Sequence, residues 1–246
     1  MEFLRLCFLL PFLWVSLSWA DEVNLAVAAN FAGVAEKLAD NFSTQTHHSI
    51  KVISDSSAKL LVQIHQGAPF DIFLSANTQA PQSLLGSGLA LDTSYRVYAI
   101  GRLVLWSPQN PAVADGALLK EPQRRLAMAN PEFAPYGEAA MQVLDSLQLK
   151  EGFAERLVME KNLAQTYQAV RSHHVDAGFI ALSQLKQPDA GGFSWLVPEN
   201  LHQPIRQAGL VLKNAKNNSA ALAFWGYLQE PESRKLIEGY GYQVPE

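Results

Sequence analysis

The sequence predicts an α/β fold in two lobes, each a mainly parallel sheet flanked by helices, joined by two extended hinge crossings. Three observations carry that expectation. Short apolar runs alternate with helix-period segments along most of the chain, the pattern of sheets covered by helices. Residues 96–107 (RVYAIGRLVLWS) break the rhythm with one long apolar stretch and no helix after Ile100. Residues 207–212 (QAGLVL) form a late strand that can bring the chain back, which makes the first lobe discontinuous. On this reading residues 21–100 plus 207–246 build lobe 1, residues 101–206 build lobe 2, and a cleft lies between them.

The chain begins MEFLRLCFLLPFLWVSLSWA: a basic residue, Arg5, then an apolar run, then Ser18-Trp19-Ala20. Small residues at the third-last and last positions suit cleavage before Asp21, so residues 1–20 read as a signal peptide and the mature protein as periplasmic. The run 6–19 falls short of the roughly 20 apolar residues of a membrane span and is broken by Pro11. Cys7 is the single cysteine and lies near the start of that run, not after it, where a lipid-modified cysteine would stand. The mature chain therefore has no disulfide, no thiolate metal site and no cysteine nucleophile. A net charge of −4 with no basic run argues against nucleic acid, whose phosphates need clustered Lys and Arg.

The elements follow in order. Residues 23–28 (VNLAVA) read as a buried strand, and Phe31, Val34, Ala35, Leu38 and Phe42 mark a helix over 32–44. Residues 50–54 alternate as a strand, and Leu60, Leu61 and Ile64 share one face of a helix over 59–66, closed by Gly67. A third strand covers 71–76 and a third helix 78–87. Strand–helix–strand units of this length imply parallel pairing. After the long crossing come a strand at 126–129, helices at 136–147 and 164–171, and a strand at 177–182. Helices at 219–228 and 232–240 follow the return strand.

Chemistry is expected at the turns after strands, because ligands of open α/β sheets bind beyond the carboxyl ends of the strands. The first N–H groups of a helix lack internal partners and carry partial positive charge, which suits an anion. Four turns qualify: Ala28-Ala29-Asn30-Phe31, Ser54-Asp55-Ser56-Ser57-Ala58, the Pro-rich run from Asn130 to Gly137, and Glu160-Lys161-Asn162-Leu163. Taken one at a time, each is equally a helix cap.

Together the stretches VNLAVAANFAGVAEKLADNF, SDSSAKLLVQIHQGAPFDIFLSAN, YAIGRLVLWSP, LAMANPEFAPYGEAAMQVL, NLAQTYQAV and YLQEPESRKLIEGYGYQVP carry more. In their order and spacing the chain resembles the periplasmic molybdate-binding proteins of ABC transporters over essentially its whole mature length. The resemblance implies the type II periplasmic-binding-protein fold. It implies capture of molybdate, and of tungstate, in the interlobe cleft and delivery to a membrane ABC permease by a monomer. It implies an oxyanion site at Asn30, Ser57, Tyr136 and Leu163, with Ala29, Ser56 and Ala58 as additional positions. Molybdenum would enter only as the bound oxyanion, with no direct protein–metal ligand and no cofactor. One departure stands out: many relatives place a Tyr where this chain has Ala181.

Two rival classes remain. A protein of the same fold could bind another anion, such as sulfate or phosphate. An amino-acid binder would want a fixed Arg at the cleft, whereas Arg124 and Arg125 precede a strand and read as surface residues. An enzyme would need a nucleophile, an acid–base pair or a metal, yet no GxSxG, HExxH or phosphate-loop motif is present. His47-His48 and His173-His174 sit between a helix and a strand, where solvated turns are expected. Asp71 reads as a structural carboxylate, and Trp106, Trp195 and Trp225 as core or lobe-surface aromatics. The chain is therefore read as a carrier, not an enzyme.

Overall fold

A computed structural model describes residues 21–121, 123–187 and 190–245; the expected signal peptide lies outside the described residues. Lobe 1 opens with β1 (Glu22–Ala28), which leads through a 3-10 turn at Ala29–Phe31 into α1 (Ala32–Thr46). Then come β2 (Ser49–Asp55), α2 (Ser57–His65), β3 (Ile72–Leu74), α3 (Gln79–Ser83) and β4 (Arg96–Gly101). Across the hinge lie β5 (Leu103–Ser107), β6 (Leu126–Ala129), α4 (Pro135–Ser146), α5 (Lys150–Phe153) and β7 (Leu157–Glu160). They are followed by α6 (Leu163–Arg171), β8 (Ala177–Ala181) and β9 (Phe193–Leu196). The chain returns through β10 (Ile205–Val211) and ends with α7 (Ser219–Tyr227) and α8 (Pro231–Gly239).

The strands form two five-stranded sheets, β2-β1-β3-β10-β4 and β7-β6-β8-β5-β9. In each the pairings inside strand–helix–strand units are parallel, β1 with β2 and β3, and β6 with β7 and β8. The remaining pairings are antiparallel. The sheets are thus mixed where a mainly parallel pattern was expected. The reason is the hinge: a chain that leaves a lobe and re-enters it from the far side must run its return strand against the strands it joins.

The long apolar stretch is not one strand. β4 ends at Gly101 and β5 begins at Leu103, so a single residue, Arg102, changes sheet. β10 pairs Ile205 with Gly101, which sets the two crossings side by side. Strands β7 and β9 had no sequence forecast, and both are half-exposed edge strands, too wet to show a buried run.

Each sheet is covered on both faces. Leu25 and Val27 of β1 pack with Phe31, Leu38 and Phe224, while Ala26 between them packs with Leu60, Phe73 and Leu210 on the opposite face; this is the period-two alternation of a strand. In lobe 2, Leu105, Met128 and Phe179 pack with Tyr136 and Val143 on one face. Trp106 stacks on Tyr167 on the other, with centroids 4.9 Å apart.

Several side chains singled out in the sequence also find a place. Asp71 accepts from the Asn24 N–H at 2.7 Å and from Asn218 Nδ2 at 3.4 Å, tying β1 to the start of α7. His47 terminates α1 at φ 63°, its N–H on Ser43 O, and His173 takes φ 58° in the turn after α6. Among the described residues no cluster of His, Cys, Asp and Glu could hold a metal ion. Among them, too, no helix is long and apolar enough to cross a membrane.

Gly101 is required by close approach. A Cβ there would lie 2.0 Å from Tyr136 Oη and 2.8 Å from Gln207 Nε2. Gly101→Ala is expected to cost about 1–3 kcal/mol, read as a lower urea midpoint; an unchanged midpoint would show that the crossing has slack.

Candidate functional site

The loops at the carboxyl ends of β1, β2, β6 and β7 meet across the cleft, two from each lobe, and each starts a helical segment. Asn30, Ser57, Tyr136 and Leu163, each at the first or second position of one of these segments, line one small cavity.

Local sequence keeps these helix starts open. Ala28 and Ala134 occupy N-cap positions but have no side-chain acceptor, and Ser56, although a good capping residue, makes no cap bond. Asn162 does cap α6, but onto the Gln165 N–H at 3.0 Å. The N–H groups of Asn30, Ser57, Tyr136 and Leu163 donate to no protein group among the described residues. Pro135 at the first position of α4 has no N–H to offer, which makes Tyr136 the first donor of that helix.

The hydroxyls refine the picture. Ser57 Oγ accepts from the Ala76 N–H at 3.0 Å and keeps its own hydrogen to donate. Ser56 Oγ lines the same cavity, is buried, and has no partner among the described residues. Ala29 lines the cavity with backbone and methyl only. Ala58 does not line it: its N–H is directed across the cleft to Phe133 O at 3.4 Å, so of the additional positions this one is drawn away.

Two side chains singled out in the sequence point elsewhere. Asn30 Nδ2 donates to Gln207 Oε1 at 2.9 Å and to Tyr242 Oη at 3.1 Å. Tyr136 Oη accepts from Gln207 Nε2 at 3.3 Å. Both residues thus turn their side chains toward the hinge, while their N–H groups have no protein partner among the described residues. At Ala181 a glutamine braces the backbone: Gln184 Oε1 accepts from the Ala181 N–H at 3.0 Å, and Gln184 Nε2 donates to Leu163 O at 3.1 Å. The start of α6 is therefore held in place without a tyrosine at 181.

Among the described residues, no side chain that is ionised at neutral pH lines the cavity. The nearest acid along the chain, Asp55, is occupied at the rim by the Ser56 N–H at 2.7 Å, Asn162 Nδ2 at 3.1 Å and Lys59 Nζ at 3.5 Å. Arg124 is bound by Glu121 and Asp176 on the outer surface of lobe 2. Behind the cavity, burial pushes the Tyr98 and Tyr136 hydroxyls well above the ordinary tyrosine value, and burial raises Tyr242 to about 12. The site is a set of neutral donors in a neutral surround.

Tyr98, Ser183, Gln184, Gln207 and Tyr242 had no forecast. The available signal was a polar side chain inside an apolar run, as Gln207 is in QAGLVL; the partners lie too far apart in sequence to form a motif.

Residues 23–243 match the family described as bacterial extracellular solute-binding protein. The chain is 39% identical to the molybdate-binding protein ModA of Rhodobacter capsulatus over 224 residues, 91% of this chain and 88% of that protein. It is 40% identical to ModA of Azotobacter vinelandii over 227 residues, 91% and 90% of the two chains. The solved periplasmic molybdate-binding protein of Azotobacter vinelandii superposes with a TM-score of 0.87 at 36% identity, covering 91% of this chain and all of that one.

The three raised tyrosines have a stability consequence. Each stays protonated in the folded protein above pH about 10, where an unfolded tyrosine ionises. Their contribution is complete below pH about 10 and is lost as pH rises above it, for Tyr242 as pH approaches about 12. Thermal midpoints are expected to fall above pH about 10, and Tyr242→Phe to make that fall shallower; an identical slope in the variant would exclude Tyr242 as a contributor.

Proposed function

The chain belongs to the bacterial extracellular solute-binding proteins, among the ModA molybdate-binding proteins, and on that premise we propose that its cleft captures molybdate for an ABC importer. One observation carries the reading: four residues at helix starts, whose N–H groups have no protein partner among the described residues, line a single cavity, and among the described residues no ionised side chain lines it.

The chemistry suits a tetrahedral dianion. Molybdate at neutral pH is fully ionised, so every oxygen accepts and none donates. The N–H groups of Asn30, Ser57, Tyr136 and Leu163, with the hydroxyls of Ser57 and Ser56, form the donor set. Hydrogen bonds to a charged group contribute about 1.5–3 kcal/mol each, so several replace the ion's hydration without a Lys or Arg. Helix dipoles at the same termini add favourable potential. Phosphate keeps a proton near neutrality and would need an acceptor, which only the two serine hydroxyls could supply and no carboxylate among the described lining residues does. Sulfate has the charge and shape but is smaller, so a shell fixed at helix termini leaves some of its oxygens short of donors. Tungstate is nearly the size of molybdate and is a ligand on the same grounds.

Each lobe supplies two of the four helix starts, so an ion that touches all of them is enclosed between the lobes. Capture therefore begins with the lobes apart, and the anion closes them because only the closed form contacts it from both sides. The chain acts as a monomeric periplasmic carrier, exported by a signal peptide at residues 1–20, that presents the closed form to a membrane permease. It needs no cofactor and performs no catalysis.

Titration calorimetry of the mature protein with molybdate, tungstate, sulfate and phosphate tests the reading. Tight binding of the first two with little heat from the others is expected; preference for sulfate or phosphate would move the protein to another anion. Ser57→Ala should weaken molybdate binding about tenfold or more, from the loss of a hydrogen bond to a charged group. Unchanged affinity would remove Ser57 from the donor set.

A further inference from the structure

The hinge side of the cleft is closed by buried uncharged groups that make no part of the donor set. Asn30 anchors them in lobe 1. Its carbonyl accepts from Tyr242 Oη at 2.8 Å, and its Nδ2 donates to Gln207 and back to Tyr242. From lobe 2, in the turn after β8, Ser183 brings its Oγ to 2.9 Å from Asn30 O and 2.9 Å from Tyr242 Oη. A hydroxyl has one hydrogen. Asn30 O only accepts, so the hydrogens of Ser183 and Tyr242 are divided between it and their contact with each other, in which either hydroxyl can donate.

The placement is firm. Tyr242 stands in the C-terminal tail, which is clipped to β4 by paired bonds between Ile100 and Gln243 at 2.7 and 3.0 Å. Its ring meets Phe31 edge-on at 5.2 Å. Ser183, Asn30 and Tyr242 are exposed by only 6%, 5% and 4%, so these bonds form away from bulk water. Opening the lobes must break the Ser183 bonds, because Ser183 belongs to the lobe 2 side and its partners to the other.

We infer that Ser183 and Tyr242 are positioning residues that latch lobe 2 onto the Asn30 turn, and that this latch slows release of the bound anion. An interaction made only in the closed form leaves encounter with the open form unchanged and retards reopening, so its loss appears in the off-rate. The choice of molybdate as ligand rests on the function proposed above; the latch itself does not. The arrangement also explains why Asn30 faces the hinge: its side chain and carbonyl are held, which fixes the position of its N–H.

The test uses the mature chain and the variants Ser183→Ala, Tyr242→Phe and the double. Stopped-flow fluorescence with molybdate gives on- and off-rates, and small-angle scattering without added anion gives the radius of gyration. Ser183→Ala is expected to raise the off-rate about three- to tenfold, the range for one neutral hydrogen bond, with the on-rate within about twofold of the parent. Its radius of gyration should rise. Tyr242→Phe, which keeps the ring packed on Phe31, should raise the off-rate alone but add nothing on the Ser183→Ala background, because one latch is lost once. An unchanged off-rate and radius, or single effects that simply multiply, would overturn the latch. If Ser183→Ala does not fold, the off-rate of Tyr242→Phe decides. Failure of the parent protein to bind molybdate would sink the ligand and leave the latch to be judged by scattering.

Discussion

An anion stripped of water needs a donor for each oxygen, and the donors proposed for it at this cleft are backbone N–H groups that their own helices cannot use. That constraint governs much of the fold. A helix offers its unpaired N–H groups only in its first turn, so loops after β1, β2, β6 and β7 must all bring a helix start to the same place. Two sheets with their strand ends facing one another accomplish this. Alanines at two N-cap positions, and a serine that makes no cap bond at a third, leave those starts open.

The second requirement is that nothing nearby carry the wrong charge or compete for the donors. The acid beside the cavity, Asp55, is satisfied at the rim. Behind the cavity the groups that join the lobes are amides and hydroxyls, and burial moves the three tyrosines still further from ionising. Buried polar groups of this kind are costly unless paired, and here they are paired with one another across the hinge. Gly101 leaves room for Tyr136 Oη to reach Gln207, which links the narrow crossing to the helix start at Tyr136.

Much of this was legible in the sequence, and the limits have physical causes. The central strands are covered on both faces, so VNLAVA and LAMA read directly as buried runs. The edge strands β7 and β9 are half wet and left no such run. Helix starts were visible as small and polar residues after strands, which placed Asn30, Ser57, Tyr136 and Leu163 at turns. Their side-chain directions were not visible. Asn30 and Tyr136 turn to the hinge because Gln207 and Tyr242 receive them there, and those partners lie 177, 212 and 71 residues away. Ser183 and Gln184 were hidden likewise, in a short 3-10 turn with partners 153 and 21 residues away.

The central claim is that backbone donors at four helix starts hold the anion without a charged side chain. Crystals of the protein grown with molybdate, measured at a wavelength where molybdenum scatters anomalously, test it most directly. The account predicts one dominant metal peak in the cavity, with oxyanion oxygens about 2.7–3.2 Å from the nitrogens of Asn30, Ser57, Tyr136 and Leu163. A peak elsewhere, for instance in the surface hollow beside Arg124 and Arg125, or an anion held by a Lys or Arg side chain, would contradict it.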